Sequence, residues 1–219
     1  VVCADAATAA LVGSDASPDT PDEAASLVAF LKQFADACAA GSGRALLAHV
    51  STAENARDLD ILRAVVGDER LTFYGASYGT LLGARYADLF PDRVGRLVLD
   101  SPVDVTGQDA TAQTAGFEAN LHAFAAWCAA ASDCAWGAGE ADVVAALSSW
   151  LRALDAVPLA VGDRVLTQSL AAAAVQAGLY AGRRGWPALL ASTKAAKGGD
   201  GSALLAVADA VNGRRPDGT

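Results

Sequence analysis

The sequence predicts an α/β protein in which a short parallel sheet is followed by a mostly helical subdomain. Residues 71–74 form an apolar run that ends in a Gly-x-Ser-x-Gly motif, and a helical pattern follows. Residues 96–100 form a second apolar run after that helix, and the order β-α-β places both strands in one parallel sheet. Strand patterns then give way to helical spacing. We therefore predict a partial sheet domain over residues 1–104 and a helical subdomain over residues 105–219.

Composition limits the classes of function. The 219 residues include 16 basic and 25 acidic side chains, for a net charge of −9. Nucleic acid is disfavoured as a partner, because no basic cluster is available to neutralise phosphates. No apolar run is long enough to cross a bilayer, so we expect no membrane span. We also expect no cofactor.

The first part of the chain predicts a loop and two helices before the sheet. Pro18 and Pro21 mark the loop, and a helix is expected from about Asp22. Ser51 and Glu54 have the spacing of a capping box, which starts a helix over residues 53–66. The apolar face expected for that helix consists of Ala56, Leu59, Leu62 and Val66.

Two aspartates lie off this apolar face. Asp58 or Asp60 could be a catalytic acid, but no histidine is near them in the sequence. We favour the alternative that they are surface or salt-bridged residues.

The stretch 71–83 has the pattern of a nucleophile elbow, in which a serine sits at a sharp turn from strand to helix. Ser77 is the predicted nucleophile. Small residues at Gly75 and Gly79 would let strand and helix pass close together beneath it. The N–H of Tyr78, at the start of the helix, would then be free to stabilise an oxyanion.

The second strand ends at Asp100, and Asp104 follows four residues later. Open α/β sheets place their sites at the carboxyl ends of strands, so either residue could be a triad acid. Turn and capping roles are favoured instead, because aspartate is common at such positions for those reasons.

The second half of the chain is predicted to be a helical cap of the kind that covers the active site of an α/β-hydrolase. Apolar residues recur at helical spacing in several segments, and only residues 159–166, turning at Gly162-Asp163, suggest a hairpin. Caps of this kind exclude water and select substrates. The fold class predicted is therefore a partial α/β-hydrolase sheet with an inserted, mostly helical cap.

Four cysteines allow three pairings, and spacing alone does not choose among them. Cys128 and Cys134 flank a short turn and are close enough for a local bridge, while Cys3 and Cys38 bracket the first segment. A metal site is disfavoured, because no Cys-x-x-Cys pair is present and neither histidine has ligand spacing. An even number of cysteines favours an oxidising compartment, and hence export.

The chain resembles the tripeptidyl-aminopeptidase group of secreted actinobacterial α/β-hydrolases, which are relatives of proline iminopeptidase. The resemblance extends over nearly the whole chain and is most specific within residues 51–104. The segments that carry it are residues 51–63, 74–80, 86–94 and 97–100, followed by 179–180, 186–189 and 204–209.

This resemblance implies a serine exopeptidase that removes short peptides from free N-termini through an acyl-enzyme. It implies that Ser77 is the nucleophile and that the N–H of Tyr78 is one oxyanion donor. It also implies the disulfides Cys3–Cys38 and Cys128–Cys134, a peptide substrate with a free N-terminus, and secretion directed by a signal segment outside this chain.

The chain departs from the group's pattern at the other catalytic residues. In that group the acid and the histidine of the triad lie beyond the cap. The histidines here are His49 and His122, which we expect to be structural or surface residues rather than the base. Glu118 and Glu140 could in principle recognise a substrate ammonium, but exposed positions on a helix explain them equally well.

We therefore identify no catalytic acid or histidine and expect this chain to be a catalytically incomplete portion of the enzyme. Two alternatives remain. One is an esterase or amidase of the same fold, and the other is a non-catalytic, truncated hydrolase fragment.

Overall fold

The computed structural model describes residues 1–3, 15–106 and 110–214. The chain divides into two compact units. The first, called the core unit here, comprises Val1–Val2 and Cys38–Thr111. The second, called the helical unit, comprises Cys3–Ala37 and Ala112–Thr219. None of the helices in the described ranges is both long and apolar enough to cross a membrane.

Helix α1, Pro21–Ser42, begins with a reciprocal cap. The N–H of Glu23 donates to the hydroxyl of Thr20, and the Glu23 carboxylate accepts from the N–H groups of Asp19 and Thr20. Pro21 at the first helical position also favours a helix start, because an N–H at this position would have no partner within the helix. The predicted start at about Asp22 is therefore confirmed to within one residue.

The core unit is a β-α-β arrangement preceded by helices. The parallel strands pair in register from Thr72 opposite Arg96 to Ala76 opposite Asp100, which confirms the predicted parallel pair. The elements after α1 are α2 (Arg44–Leu47), α3 (Thr52–Val65), β1 (Leu71–Ala76), α4 (Tyr78–Leu89), a 3-10 turn (Pro91–Arg93) and β2 (Val94–Asp100).

Helix α3 begins at the predicted cap, where the side chain of Ser51 accepts a hydrogen bond from the N–H of Glu54 at 3.3 Å. Its expected apolar face is only partly correct. Ala56 is fully buried and Leu59 packs beside it, but the side chains of Leu62 and Val66 are exposed.

The buried face of α3 continues through an ion-pair network. The Asp60 carboxylate, 10% exposed, accepts hydrogen bonds from Arg63 at 2.8 Å, from the hydroxyl of buried Tyr86 at 3.1 Å, and from Arg93. The bond from Arg63 holds the pKa of Asp60 below its usual range. The side of α3 that faces α4 therefore carries this polar network, and Leu62 and Val66 lie on the exposed side of the helix. Asp60 is a salt-bridged residue, as favoured, and Asp58 is exposed.

Replacing Asp60 with asparagine is expected to destabilise the core unit by roughly 3 kcal/mol, because the guanidinium of Arg63 then lies buried without its counter-charge. Asp58→Asn, an exposed change on the same helix, is the control and should alter stability by less than about 0.5 kcal/mol. Urea denaturation of the three proteins measures the difference.

The effect of Asp60→Asn should also depend on pH. The folded-state pKa of Asp60 is lowered, so its stabilisation is present above the unfolded-state value and is lost as pH falls through the folded-state value. The gap between wild type and variant should therefore narrow in acid. A gap that widened in acid, or an equal loss in Asp58→Asn, would contradict this role.

The helical unit contains α5 to α9, together with a short hairpin and a 3-10 turn. Its bounds are α5 (Ala110–Ala129), α6 (Glu140–Ala156), β3 (Leu159–Val161), β4 (Arg164–Leu166), α7 (Gln168–Tyr180), the 3-10 turn (Gly182–Arg184), α8 (Trp186–Lys197) and α9 (Ser202–Val211). The hairpin is antiparallel and turns at Gly162-Asp163, as predicted. Gly162 has φ 61°, which suits glycine at this turn.

Two apolar clusters form the core of the helical unit. One is built around Phe124, Val143 and Leu147, and the other around Leu154, Leu166 and Leu204.

A disulfide joins Cys128 to Cys134, with Cα atoms 5.2 Å apart, and fixes the loop after α5. Cys3 and Cys38 are disulfide-bonded as well.

The hairpin is anchored to α9 by a two-bond ion pair. The guanidinium of Arg164 donates to the two carboxylate oxygens of Asp209 at 2.6 and 2.8 Å. Hydrogen bonding to Arg164 lowers the pKa of Asp209. Two parallel hydrogen bonds of this kind fix the orientation of the guanidinium relative to the carboxylate as well as the distance between them.

Candidate active site

Ser77 lies at the turn between β1 and α4, with φ 51° and ψ −120°. A non-glycine residue at positive φ is strained, and such strain persists where the surroundings determine the backbone. Here the N–H of Ser77 donates to the carbonyl of Asp100 at 3.0 Å, and its own carbonyl accepts from the N–H of Thr80 at 2.9 Å. The residue is exposed, so its hydroxyl is accessible from solvent.

The close approach of strand and helix depends on Gly75. A Cβ atom built on Gly75 would lie 2.4 Å from the main-chain oxygen of Gly79 and 2.6 Å from the ring of Phe73. The same test at Gly79 finds no atom within 4 Å. The expectation that both glycines are needed for the approach is therefore right for Gly75 and wrong for Gly79, which contributes its main chain to the contact.

The amide of Tyr78 lies at the first position of α4. The N–H groups at this end of a helix have no acceptor within the helix, and that of Tyr78 has none elsewhere among residues 1–3, 15–106 and 110–214. The Tyr78 side chain is directed to α3, where its hydroxyl shares a 2.6 Å hydrogen bond with the hydroxyl of Thr52. An N–H beside the Ser77 hydroxyl, at the positive end of a helix, is suited to bind an anion.

Asp100 and Asp104 follow the strand end beside the elbow. The Asp100 carboxylate accepts from the hydroxyls of Tyr74 at 2.8 Å and Ser101 at 3.2 Å, and the bond to Asp100 raises the pKa of Tyr74. The Asp104 carboxylate accepts from the N–H and the hydroxyl of Thr106 at 2.9 and 2.7 Å. Asp104 therefore forms the turn that the sequence favoured for it.

Both histidines pair with glutamates. His49 is largely exposed and lies 3.8 Å from the Glu54 carboxylate. In the helical unit, His122 lies 2.7 Å from the carboxylate of Glu140 and 3.4 Å from that of Glu118. The hydrogen bond to Glu140 raises the pKa of His122. Within the ranges that the structure describes, no side chain forms a hydrogen bond with the Ser77 hydroxyl.

A family model described as alpha/beta hydrolase fold matches residues 12–193 of the chain. The match includes β1, the elbow, α4, β2 and most of the helical unit. The chain belongs to the α/β-hydrolase fold family.

Several curated proteins are similar to this chain. The serine protease Hip1 of Mycobacterium tuberculosis (strain ATCC 25618 / H37Rv) is 42% identical over 116 residues, which are 52% of this chain and 22% of that protein. A tripeptidyl aminopeptidase of Streptomyces lividans is 40% identical over 114 residues, 50% of this chain and 21% of that protein. Carboxylesterase B of Mycobacterium tuberculosis (strain CDC 1551 / Oshkosh) is 32% identical over 192 residues, 85% of this chain and 37% of that protein.

The aligned part of this α/β-hydrolase chain thus spans about a fifth of the length of Hip1 and of the tripeptidyl aminopeptidase. The resemblance recognised in the sequence, to tripeptidyl-aminopeptidase-like α/β-hydrolases, is confirmed at the level of the family and of these relatives. The predicted fold class is confirmed with it.

The helical unit contains a cleft of about 610 Å³ between α5, α6 and α7. Its walls include the apolar side chains of Phe117, Leu121 and Leu179, and Glu118 and Arg152 are its charged members. A cleft of this volume lies within the range of small-molecule sites.

One group of carboxylates in the described ranges has a geometry that could hold a metal ion. Oxygen atoms of Asp15, Glu23 and Asp155 lie within 4.8 Å of one another. Glu23, however, is the capping residue of α1, and Asp15 accepts hydrogen bonds from the N–H and hydroxyl of Ser17. The bonds from Ser17 engage Asp15 Oδ1, and Asp15 Oδ2 is buried without a hydrogen-bond partner among the described residues. A group of carboxylates alone does not identify a metal site, and we assign no metal to it.

The sequence did not identify one residue of the elbow, Thr80, and one residue after the neighbouring strand, Ser101. Thr80 is buried and bonds to the Ser77 carbonyl through its hydroxyl, and Ser101 has φ 54° at the end of β2. A threonine in the first turn of a helix often bonds to a preceding carbonyl, so Thr80 carried a weak signal. The backbone strain at Ser101 has no sequence signal that we recognise.

Proposed function

We propose that this chain carries the nucleophile of a serine exopeptidase that removes short peptides, including tripeptides, from free N-termini. The observation that carries the proposal is the elbow. Ser77 is strained and exposed, and it lies beside the N–H of Tyr78 at the start of α4, which has no acceptor in the described part of the chain. The relatives named serine protease and tripeptidyl aminopeptidase, each about 40% identical over half of the chain, support the peptidase class.

The reaction proceeds through an acyl-enzyme. Ser77 Oγ attacks the carbonyl carbon of the scissile bond, and its proton passes to a general base. The N–H of Tyr78 stabilises the oxyanion that forms. The C–N bond then breaks, the proton is delivered to the departing amine, and water hydrolyses the ester to release the peptide and restore the serine.

The base and its acid are not assigned to residues of this chain. His49 and His122 pair with glutamates, and Asp104 forms a turn with Thr106. A serine hydroxyl without a base is a weak nucleophile at neutral pH. We propose that the base is supplied by residues outside this chain, which makes this chain a portion of the catalytic machinery.

An esterase is the second candidate, because the relative that aligns with the largest share of this chain among those described above is a carboxylesterase. Ester and amide hydrolysis use the same elbow and differ in the leaving group and in what the site recognises. For either activity we propose export to an oxidising compartment. All four cysteines are in the described ranges, and none is free.

A substrate comparison distinguishes the two candidates. Expressed from its complete reading frame, the protein is expected to release the fluorophore from a tripeptide coumarin amide with a free N-terminus. Acetylating that N-terminus should lower kcat/KM by about tenfold to a hundredfold, because the charge-assisted bonds to the ammonium are lost. Fluorescence release at matched concentrations measures both rates.

A p-nitrophenyl ester of a short acyl chain is the matched control substrate. Equal rates on the free and the acetylated peptide would contradict the exopeptidase proposal. Rapid ester cleavage without amide cleavage would favour the esterase. A folded protein that cleaves none of the three substrates would instead favour the non-catalytic alternative.

A further inference from the structure

Thr80 lies three residues after Ser77 in the first turn of α4, and its side chain is buried, with 2% of the residue exposed. Its hydroxyl donates to the main-chain carbonyl of Ser77 at 2.6 Å. The same oxygen accepts a hydrogen bond from the N–H of Val103 at 3.0 Å. Thr80 therefore connects the strained serine with the loop that follows β2.

The Ser77 carbonyl also accepts from the N–H of Thr80 at 2.9 Å, so two donors of one residue hold it. That carbonyl and the N–H of Tyr78 belong to the same peptide unit, which is planar and trans. In such a unit the C=O and the N–H point in opposite directions. A carbonyl held toward Thr80 therefore directs the Tyr78 N–H to the opposite side.

The bond from Val103 strengthens this arrangement. A hydroxyl that accepts one hydrogen bond becomes a better donor in the next, because the bonds polarise each other. Since Thr80 is buried, water does not compete for its hydroxyl. The direction of the Tyr78 N–H is thus fixed by a chain that runs from Val103 through Thr80 to Ser77.

We propose that Thr80 is a positioning residue for catalysis, whose hydroxyl holds the Ser77–Tyr78 peptide in the orientation that presents the Tyr78 N–H to the oxyanion. The inference rests on the proposed function, in which Ser77 is the nucleophile. Thr80 acts through this peptide and touches neither the substrate nor the reacting atoms. Its loss acts on the transition state, where the oxyanion forms, rather than on substrate binding.

The test replaces Thr80 with valine, which keeps the shape and removes the hydroxyl, and with serine, which keeps the hydroxyl. In the protein expressed from its complete reading frame, Thr80→Val should lower kcat by about tenfold, with KM unchanged. Thr80→Ser should restore kcat to within about twofold of wild type. Both constants are measured on the preferred substrate of the protein, after the variants are shown to be folded.

Thr193→Val is the matched control, because Thr193 makes the same two kinds of bond in the helical unit. It is fully buried, donates to the carbonyl of Leu189 at 2.8 Å, and accepts from the indole N–H of Trp136 at 3.2 Å. This variant should lose thermal stability much as Thr80→Val does, but should keep its kcat. A similar fall in kcat in both variants would assign the effect to stability and overturn the proposal.

Two further results would also overturn the proposal. One is an unchanged kcat in folded Thr80→Val, and the other is no recovery in Thr80→Ser. Should Thr80→Val not fold, Thr80→Ala gives the same comparison with Thr80→Ser. Failure of the premise that Ser77 is the nucleophile is distinguishable, because the wild type would then be inactive or its activity would persist in Ser77→Ala, whatever the Thr80 variants do.

Discussion

Replacing Ser77 with alanine is expected to lower kcat by about a thousandfold or more and to leave KM and stability nearly unchanged. The change removes only the oxygen that attacks the carbonyl. It leaves the main-chain bonds of the elbow intact, namely those to Asp100 and Thr80. Labelling by a fluorophosphonate probe, followed by intact mass, should be lost together with the activity.

Ser101→Ala is the matched control for Ser77→Ala. Ser101 is also an exposed serine at positive φ, 54°, and it follows the neighbouring strand end. It lacks the helix N-terminus that places an N–H beside Ser77. The variant should therefore label and turn over substrate like wild type. Labelling that survives in Ser77→Ala, or is lost in Ser101→Ala, would exclude Ser77 as the nucleophile.

The same probe tests the proposal that residues outside this chain supply the base. If residues outside this chain supply the base, the isolated 219-residue chain should label slowly even when folded, whereas the protein from its complete reading frame should label rapidly. Rapid, Ser77-dependent labelling of the isolated chain would contradict this. It would require a base within the chain and would bring His49 or His122 back into consideration.

Several elements could be predicted from the sequence because their signals are local. The helix cap at Ser51, the turn at Gly162-Asp163 and the run of apolar residues into the motif are each set by neighbours within a few positions. The order of strand, helix and strand then left the parallel pair as the simple solution. These predictions needed no information on distant contacts.

The side of α3 that is buried could not be predicted in the same way. Its apolar pattern favoured Leu62 and Val66 as buried, whereas the helix buries Asp60 and Arg63 instead. That outcome depends on Tyr86, which is 26 residues from Asp60 in the sequence and supplies the hydroxyl. Burial of charge is determined by such partners, which periodicity does not reveal.

The different contributions of Gly75, Gly79 and Thr80 at the elbow were likewise beyond pattern reasoning. Gly75 and Gly79 are equivalent in the motif, yet only Gly75 has its Cβ position blocked. Thr80 was overlooked because its importance comes from Ser77 and Val103 together, and Val103 lies beyond the second strand. A motif names residue types, but the contacts of the folded chain decide which of them cannot change.

The two glycines of the motif should consequently respond in opposite ways to alanine. Gly75→Ala is expected to destabilise the core unit by about 3 kcal/mol or more, because the new methyl group would lie 2.4 Å from the main-chain oxygen of Gly79. Main chain cannot yield as a flexible side chain can, so β1 and α4 must separate. The strained turn at Ser77 depends on both elements, and the activity should fall with the stability.

Gly79→Ala is the control that makes this test specific. Gly79 is inside α4 with open space at its Cβ position, so alanine should be tolerated and could add up to about 1 kcal/mol through its higher helix propensity. Urea denaturation of the two variants should therefore differ by roughly 4 kcal/mol, the sum of the two expected effects. Equal destabilisation would mean that the motif requires small residues at both positions. The close passage of helix over strand at Gly75 would then no longer explain why the turn at Ser77 holds its geometry.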